Sequence, residues 1–522
     1  MSELNPLAKV LIAGFERDFF RTSDKNISVN PLVAEMASWY EKFRTAMDYR
    51  EDEVILRSSI ERILKRRFLF EGNGGNVAAP LIRELVWARY FADESLPESI
   101  VDKVEDTINL YLQLEKRVNE LHRINKAALH EWILHILSSE IEDILQPSEK
   151  KELMCNFIYQ IFHKSIEILD DTEETRDAQV YIAARRAYGK EDLALLRYAL
   201  FKQFFGRLTE HNIDKIAQNF LEGYKMINYQ LNYPLKDRIY NYIKKQSVPF
   251  FILEDVLRQH KDNLKTLLSD QDALNLVIIN ACQKRYTGIA DKVKRAIIRA
   301  VIFIFFTKAL FALSIEGTFE SLIYGKIMWG AIALNTLIPP LLMIVVGMMI
   351  KIPGRENSIR ILKKINIILF ENPPILSAPL EIQLKPKKTD PILDILFVIL
   401  WVLAIVVSFG GIIFILSTLH FNVISQFIFI FFLAIVSFMA YRINQIAHMY
   451  VIKEGKEGLG AVLFDFFFMP FIQIGRNLTL GISQINIFLY VFDYIIETPF
   501  KNIFAFLEQW FLYLRTQREK LD

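Results

Sequence analysis

Four long apolar runs in the second half of the chain constrain its fold more than any other feature. They cover residues 297–315, 327–350, 392–419 and 421–439. A helix crosses the hydrocarbon core of a bilayer, about 30 Å thick, with roughly 20 apolar residues. Each run comes close to that length. The sequence therefore predicts a polytopic α-helical membrane domain with about four transmembrane helices.

The chain before residue 290 has a different pattern, in which apolar residues recur at helical spacing among polar ones. The clearest example follows Pro97 and comprises Ile100, Val104, Ile108, Tyr111, Leu114, Val118 and Leu121. A period of three to four residues predicts an amphipathic helix. Residues 129–145 and 191–208 repeat the pattern, and we find no run of alternating strands. The predicted fold is all-α, with a large soluble helical domain followed by the membrane domain.

These patterns divide the chain into five predicted segments. Residues 1–290 form a cytoplasmic helical domain, 291–350 a first transmembrane hairpin, 351–391 a basic cytoplasmic loop with an amphipathic helix, and 392–441 a second transmembrane hairpin. Residues 442–522 form interfacial aromatic-rich helices and a C-terminal amphipathic helix. Aromatic rings favour the headgroup level. Residues 459–496 could instead form a further hairpin, which would leave the C-terminus on the same side.

Basic residues alternate between the short loops. The loop after the first run has Lys326 and the loop after the third has only His420, whereas the loop after the second run is rich in Lys and Arg. Because basic loops stay in the cytoplasm, both termini are predicted to be cytoplasmic. The abundance of Ile, Lys, Asn and Phe suggests an AT-rich coding sequence, so we predict a bacterial plasma membrane.

Polar and helix-weakening residues within the runs define a possible intramembrane polar site. Its members are Lys308, Asn335, Pro339, Pro340, Gly410 and Gly411. An ionisable side chain in a membrane is costly and raises a functional hypothesis. Lys308 could snorkel to the outer headgroups or pair with an acidic group inside the bundle. The prolines and glycines are expected to break the second run and weaken the third, as in a substrate site or where neighbouring helices satisfy freed backbone groups.

The loop between the hairpins predicts a contact with anionic lipid at the cytoplasmic face of the membrane. Ile359, Leu362, Ile365 and Leu369 recur at helical spacing, and the basic residues lie largely opposite. These basic residues are Arg360, Lys363 and Lys364. Each basic group near an anionic surface contributes about 1 kcal/mol. Membrane lipids are therefore one predicted partner.

The soluble half contains no pattern that assigns a reaction, a metal or a cofactor. His130 and His135 are five residues apart, whereas a zinc protease helix needs a spacing of four. The acidic residues between Asp170 and Asp177 do not match a calcium-binding loop and are expected to be a solvated linker or helix start. The net charge of +2 offers no case for nucleic acid.

Two further features of this half have structural interpretations. The glycine-rich segment 72–76 follows Arg62, Lys65, Arg66 and Arg67, which we interpret as a solvated basic face before a helix-breaking loop. Cys155 and Cys282 lie far apart and are predicted to be buried, reduced thiols.

The combination predicts a membrane-anchored scaffold or adaptor whose cytoplasmic helical domain binds an unidentified protein. A transporter or channel gated by that domain is the alternative, and a lipid-processing membrane enzyme is a third class. The choice depends on the spans. A transporter requires a polar cavity around Lys308, Asn335 and Gly410, whereas a scaffold would pack these positions closed.

Overall fold

The computed structural model describes residues 3–16, 26–47, 54–71, 77–325, 329–384, 391–419, 421–452, 459–484 and 498–519. Over these ranges the protein is all-helical apart from two strands of three residues each. The glycine-rich segment 72–76 and the basic or polar loop residues Lys326, His420 and Lys453 lie outside the described residues.

The first half of the chain is a succession of helices with one short strand. In order they are α1 (Pro6–Phe15), α2 (Pro31–Met47), α3 (Ile55–Glu71), α4 (Ala78–Trp87), α5 (Ser99–Leu121), α6 (Lys126–Leu145), α7 (Glu149–Phe162), β1 (Ile166–Ile168), α8 (Glu173–Ala187), α9 (Leu193–Phe205), α10 (Ile213–Leu231), α11 (Lys236–Gln246) and α12 (Val248–Gln259).

The second half begins with a 3₁₀ turn (Lys261–Asn263) and contains longer helices. They are α13 (Leu264–Ser269), α14 (Gln271–Phe311), a π segment (Ala312–Glu316), α15 (Gly317–Tyr324), α16 (Trp329–Met349), α17 (Arg355–Phe370), β2 (Leu380–Ile382), α18 (Pro391–Thr418), α19 (Val423–Ala447), α20 (Leu459–Gln484) and α21 (Thr498–Glu519).

The amphipathic patterns of the first half correspond to helices. The repeat after Pro97 is α5, and its periodic residues Val104, Ile108, Tyr111, Leu114 and Val118 are its buried face. The repeat at 129–145 lies within α6, and the repeat at 191–208 contains α9. Asn125 caps α6, since its side chain accepts hydrogen bonds from the backbone N–H groups of Ala127 and Ala128. Local periodicity and capping chemistry are therefore sufficient to explain these elements.

The chain divides into two compact units. The helical unit comprises residues 2–250, 368–384 and 486–522, and the span unit comprises Met1 with residues 251–367 and 385–485. The break at residue 250 precedes the predicted domain boundary near residue 290, because α14 continues from polar sequence into the first apolar run as one helix.

The core of the helical unit surrounds Trp132 of α6. The ring packs edge-on against Phe220 of α10, with 5.1 Å between ring centroids, and against Phe201 of α9 at 6.1 Å. Aromatic pairs of this geometry stabilise a core beyond the apolar area that they bury. β1 and β2 form a parallel pair in the same unit, with Ile166 opposite Leu380.

The C-terminal helix α21 joins this core. Phe504 is fully buried in it, and Leu507 and Phe511 pack against it. The sequence pattern placed all apolar residues of this helix at a membrane interface. The structure instead buries one apolar edge in protein, because the helical unit offers an apolar surface that the sequence does not reveal.

The span unit contains four helices that are long and apolar enough to cross a membrane. They cover Gln271–Ile323, Ile332–Met349, Ile395–Thr418 and Val423–Ala447. The last three agree with the predicted runs. The first extends further than predicted at both ends, which places Glu316 inside a helix and not in a short loop.

The predicted interruptions do not break these helices. Pro339 and Pro340 lie within α16 and are buried. Gly410 and Gly411 lie within α18, exposed on its surface. The expectation that the prolines break the second span is therefore wrong at the level of the helix. Neighbouring helices can stabilise a helix that contains proline.

The segment Leu459–Gln484 forms one helix of 26 residues, α20. It packs along α19, and Gly475 marks the closest approach. A Cβ at this position would clash with the backbone carbonyl oxygen of Ala434 and lie 2.8 Å from the Cβ of Phe438. Small residues let helix backbones approach closely in membranes. Residues 485–497 lie outside the described residues.

Candidate functional site

A buried ion pair lies within the first long helix of the span unit. The ammonium of Lys308, in the last turn of α14, donates to Glu316 Oε1 at 2.8 Å. Both side chains are 0% exposed. An isolated charge in such a place costs several kcal/mol, so this pairing is the first requirement for either residue to be there.

The π segment brings the two residues onto one face. In a regular α-helix, residues eight apart are separated by about 80° around the axis. A π turn accommodates one additional residue. Lys308 and Glu316 are therefore arranged as residues seven apart would be in an α-helix, within about 20° of each other. The extra residue at Ala312–Glu316 is the structural reason why this pair can form.

Asn335 of α16 completes the cluster. Its side-chain amide donates to Glu316 Oε1 at 2.8 Å and to Oε2 at 2.9 Å, and more weakly to the backbone carbonyl of Ser425 at 3.4 Å. Phe432 of α19 presents its ring face to the Lys308 ammonium, 5.2 Å from the ring centroid. Three candidate spans thus contribute to one neutral polar cluster in an otherwise apolar environment.

Of the two roles considered for Lys308 from the sequence, the structure shows pairing with an acidic group. The ammonium pairs inside the bundle and does not reach outward to a headgroup region. Glu316 was missed, because the sequence pattern placed it in a loop. A signal was present: a glutamate eight residues after the lysine, with an otherwise apolar or small sequence between them.

The remaining members of the predicted site are not part of this cluster. Gly410 and Gly411 face open space, since a Cβ at either position would have no neighbour within 4 Å.

Asn335 Oδ1 and the hydroxyl of Thr336 are buried and have no hydrogen-bond partner among the described residues. A shallow groove of about 330 Å³ lies nearby. Its lining is Ala312, Leu313, Gly317, Thr318, Ser321, Leu322, Trp329 and Ile332, and it does not include the ion pair.

The predicted lipid-contact residues lie on α17. Ile365 and Leu369 of the predicted apolar face are fully buried, as is Ile361, whereas Ile359 of that face is 40% exposed. Arg360 pairs with Glu356 on the same helix, and Lys363 is exposed. Because protein covers most of the apolar face, we expect lipid contacts of this helix in the intact chain to rely mainly on its basic side chains.

A second polar network joins α14, α17 and the segment after α19. Asn357 donates to the Tyr286 hydroxyl and to the Tyr450 carbonyl, both at 2.7 Å, and accepts from the Ile452 amide at 2.9 Å. Arg285 binds both oxygens of Asp255. Buried networks that are satisfied in this way rigidify a structure, and we assign this one a structural role.

The basic residues of α3 are not a solvated face, and that interpretation is wrong. Arg66 and Arg67 both pair with Glu84, which is 2% exposed. Burial would raise the pKa of Glu61, but Arg57 and Lys65 together lower it to about 2. The carboxylates belong to Glu41 of α2, Glu84 of α4 and the α9 N-cap Asp192, as well as to Glu61 of α3 itself. Sequence inspection of one helix could therefore not reveal the pairs.

The other candidate positions are distributed over separate contacts. His130 lies 3.0 Å from Glu115, whereas His135 lies 2.7 Å from Arg197. The described residues contain no group of three or more potential metal ligands. The acidic cluster is a helix start, since Thr172 caps α8. Cys155 and Cys282 are free and buried, as predicted.

Comparison of the chain with known protein families, with curated proteins and with solved structures found no match.

Proposed function

We propose that this protein is an integral membrane protein that acts as a scaffold or adaptor, with its helical unit binding a protein partner. One observation carries the proposal: Lys308, Glu316 and Asn335 of the candidate spans bind one another in a closed cluster. Lys308, Glu316 and Asn335 are each 0% exposed. A transport site needs a polar cavity at these positions, and the nearby groove is lined by other residues.

A transporter remains the second candidate function because two buried polar atoms of the described residues lack hydrogen-bond partners. Asn335 Oδ1 and the Thr336 hydroxyl have no partner within the described part of the chain, and π segments are frequent at functional sites. An alternate arrangement could expose these groups to a substrate. A liposome flux assay with ions and small polar solutes distinguishes the two functions. Solute flux that is abolished by Asn335→Leu would refute the scaffold proposal.

Binding is tested separately by purification from the native membrane in a mild detergent. We expect a stoichiometric protein partner to remain bound to the full chain. A matched variant should lose it without unfolding. Substitutions of exposed apolar residues on the helical unit, such as Val10→Ser or Leu121→Ser, are suitable because both side chains are more than half exposed. If no protein copurifies under several detergent conditions, the adaptor role fails.

The proposed orientation places both termini in the cytoplasm and rests on the alternation of basic loops. The native cysteines are buried, so single introduced cysteines can be labelled selectively. A membrane-impermeant maleimide applied from outside should react at Gly325→Cys and not at Lys363→Cys. The reverse pattern would invert the topology.

A further inference from the structure

The C-terminal helix α21 has two different apolar faces. One face, with Phe504, Leu507 and Phe511, is packed into the core of the helical unit. The other is an exposed stripe that consists of Ile503, Phe506, Trp510 and Tyr513. These four side chains are 51%, 64%, 47% and 54% exposed. Their spacing of three and four residues places them on one side of the helix.

The chemistry of the stripe is that of a membrane interface. Trp and Tyr combine an apolar ring with one polar tip, and they concentrate at the headgroup level of bilayers. Trp510 and Tyr513 stack on each other with 5.9 Å between ring centroids. The stripe carries no charged residue, so apolar burial and not attraction to anionic lipid would drive its contact.

The helix α2, which packs against α21, also exposes apolar side chains. Leu32 and Met36, one turn apart on α2, are 60% and 50% exposed. Exposed apolar patches on a folded unit mark interaction sites, and both helices of this contact expose apolar side chains.

The chain itself supplies a reason to choose lipid as the occupant. Residues 485–497 connect α20 of the span unit to α21, and they reach at most about 50 Å when fully extended. If the spans are inserted, the stripe is tethered within that distance of a bilayer. A short tether gives an effective concentration in the millimolar range. An aromatic stripe held so close to headgroups does not need a further protein to cover it.

We infer that Ile503, Phe506, Trp510 and Tyr513 of α21 contact the headgroup region of the membrane, so that this helix docks the helical unit on the bilayer. The contact is independent of lipid charge, unlike the one predicted for the basic side chains of α17. The inference rests on membrane insertion of the spans but not on the scaffold role.

The test uses the full chain in proteoliposomes with a fluorescent label at Ile503→Cys. Because Cys155 and Cys282 are buried, the label goes to the introduced position. Two quenchers are compared: a nitroxide on the lipid chain near the headgroups, and aqueous iodide. The matched control is Leu121→Cys, an exposed apolar position on α5 of the same unit.

We expect the label at position 503 to be quenched several-fold more by the lipid nitroxide than by iodide, with the opposite result at position 121. The ratio should be the same in neutral and anionic vesicles. The double substitution Phe506→Gln and Trp510→Gln leaves intact the face that packs into the core of the helical unit. It should make the label at position 503 accessible to quenching by iodide.

Three results would overturn the inference. Quenching by iodide alone at position 503 would show that the stripe faces water. Protection from both quenchers would show that protein covers it, either a partner or a second copy of the chain. An unchanged ratio in the double variant would show that these side chains do not make the contact. None of these results bears on the flux assay, so the scaffold proposal stands or fails separately.

Discussion

Substitution of Lys308 is the most informative perturbation of the candidate site. Lys308→Met keeps the long aliphatic stem and removes the ammonium that donates to Glu316 at 2.8 Å. A snorkelling lysine would tolerate this change with little loss or a small gain in stability. The structure predicts the opposite, because Glu316 would be left in a fully buried position without its cation.

The expected loss follows from what remains around Glu316. Breaking a buried pair by removing one partner typically costs about 3–5 kcal/mol. Asn335 still donates to both carboxylate oxygens. We therefore expect a loss near the low end of that range, about 3 kcal/mol.

A second substitution distinguishes the stability that comes from the ion pair from the stability that comes from each charged side chain alone. Glu316→Gln alone strands the ammonium and should cost a similar amount. Lys308→Met combined with Glu316→Gln leaves no buried charge, and the amide at position 316 can still accept from Asn335. The double variant should lie within about 1 kcal/mol of the natural protein, since apolar replacement of a buried pair is often nearly neutral.

The assay is equilibrium unfolding of the purified chain in mixed micelles, followed by circular dichroism. Lys292→Met is the matched control, because Lys292 lies on the same helix and is exposed. It should change stability by less than about 0.5 kcal/mol. If Lys308→Met behaves like this control, or if the losses of the two single variants simply add, the ion pair does not stabilise the fold and the reasoning fails.

Three further predictions concern other positions. Burial raises the pKa of Glu142 to about 7. Since the folded-state pKa lies above the unfolded value, stability is lost as pH rises from about 4.5 to 7. Chemical denaturation should therefore show that Glu142→Gln stabilises the protein by about 2–3 kcal/mol at pH 8 and hardly at pH 4. Gly475→Val should destabilise the α19–α20 packing by at least about 1–3 kcal/mol, whereas Gly460→Ala, where a Cβ meets open space, should not; equal melting temperatures would contradict the close contact. Replacing Arg360, Lys363 and Lys364 with glutamine should release anionic lipid from the purified chain in native mass spectrometry, by about 1 kcal/mol per residue, and leave neutral lipid bound; parallel loss of both lipids would mean that charge does not drive the contact.

The sequence predicted those elements whose cause is local. The helix after Pro97 and the last three spans could be located because periodicity and run length depend only on neighbouring residues. The burial of Cys155 and Cys282 follows from residue type. The presence of a polar group at Lys308 and Asn335 was also evident, because either residue is conspicuous within an apolar run.

The partners of these groups could not be predicted in the same way. Glu84 receives Arg66 and Arg67 from a different helix, and such pairs depend on tertiary packing. The two faces of α21 have similar apolar composition, so periodicity alone could not show which one is covered by protein. The predicted break at Pro339 and Pro340 failed because a helix in an apolar bundle obtains its stability from neighbours as well as from its own residues.

The π segment between Lys308 and Glu316 shows how a tertiary requirement can override local helix geometry. A regular α-helix from Gln271 to Tyr324 would leave the carboxylate about 80° away from the lysine. Two separated charges in an apolar environment cost several kcal/mol each. A distorted or unmade backbone hydrogen bond costs about 1–3 kcal/mol. The free-energy cost of the π turn is lower than that of two separated charges. The distortion is therefore expected where this ion pair forms. The pair in turn opposes rotation of α15 relative to α14, because such a rotation would separate Lys308 from Glu316.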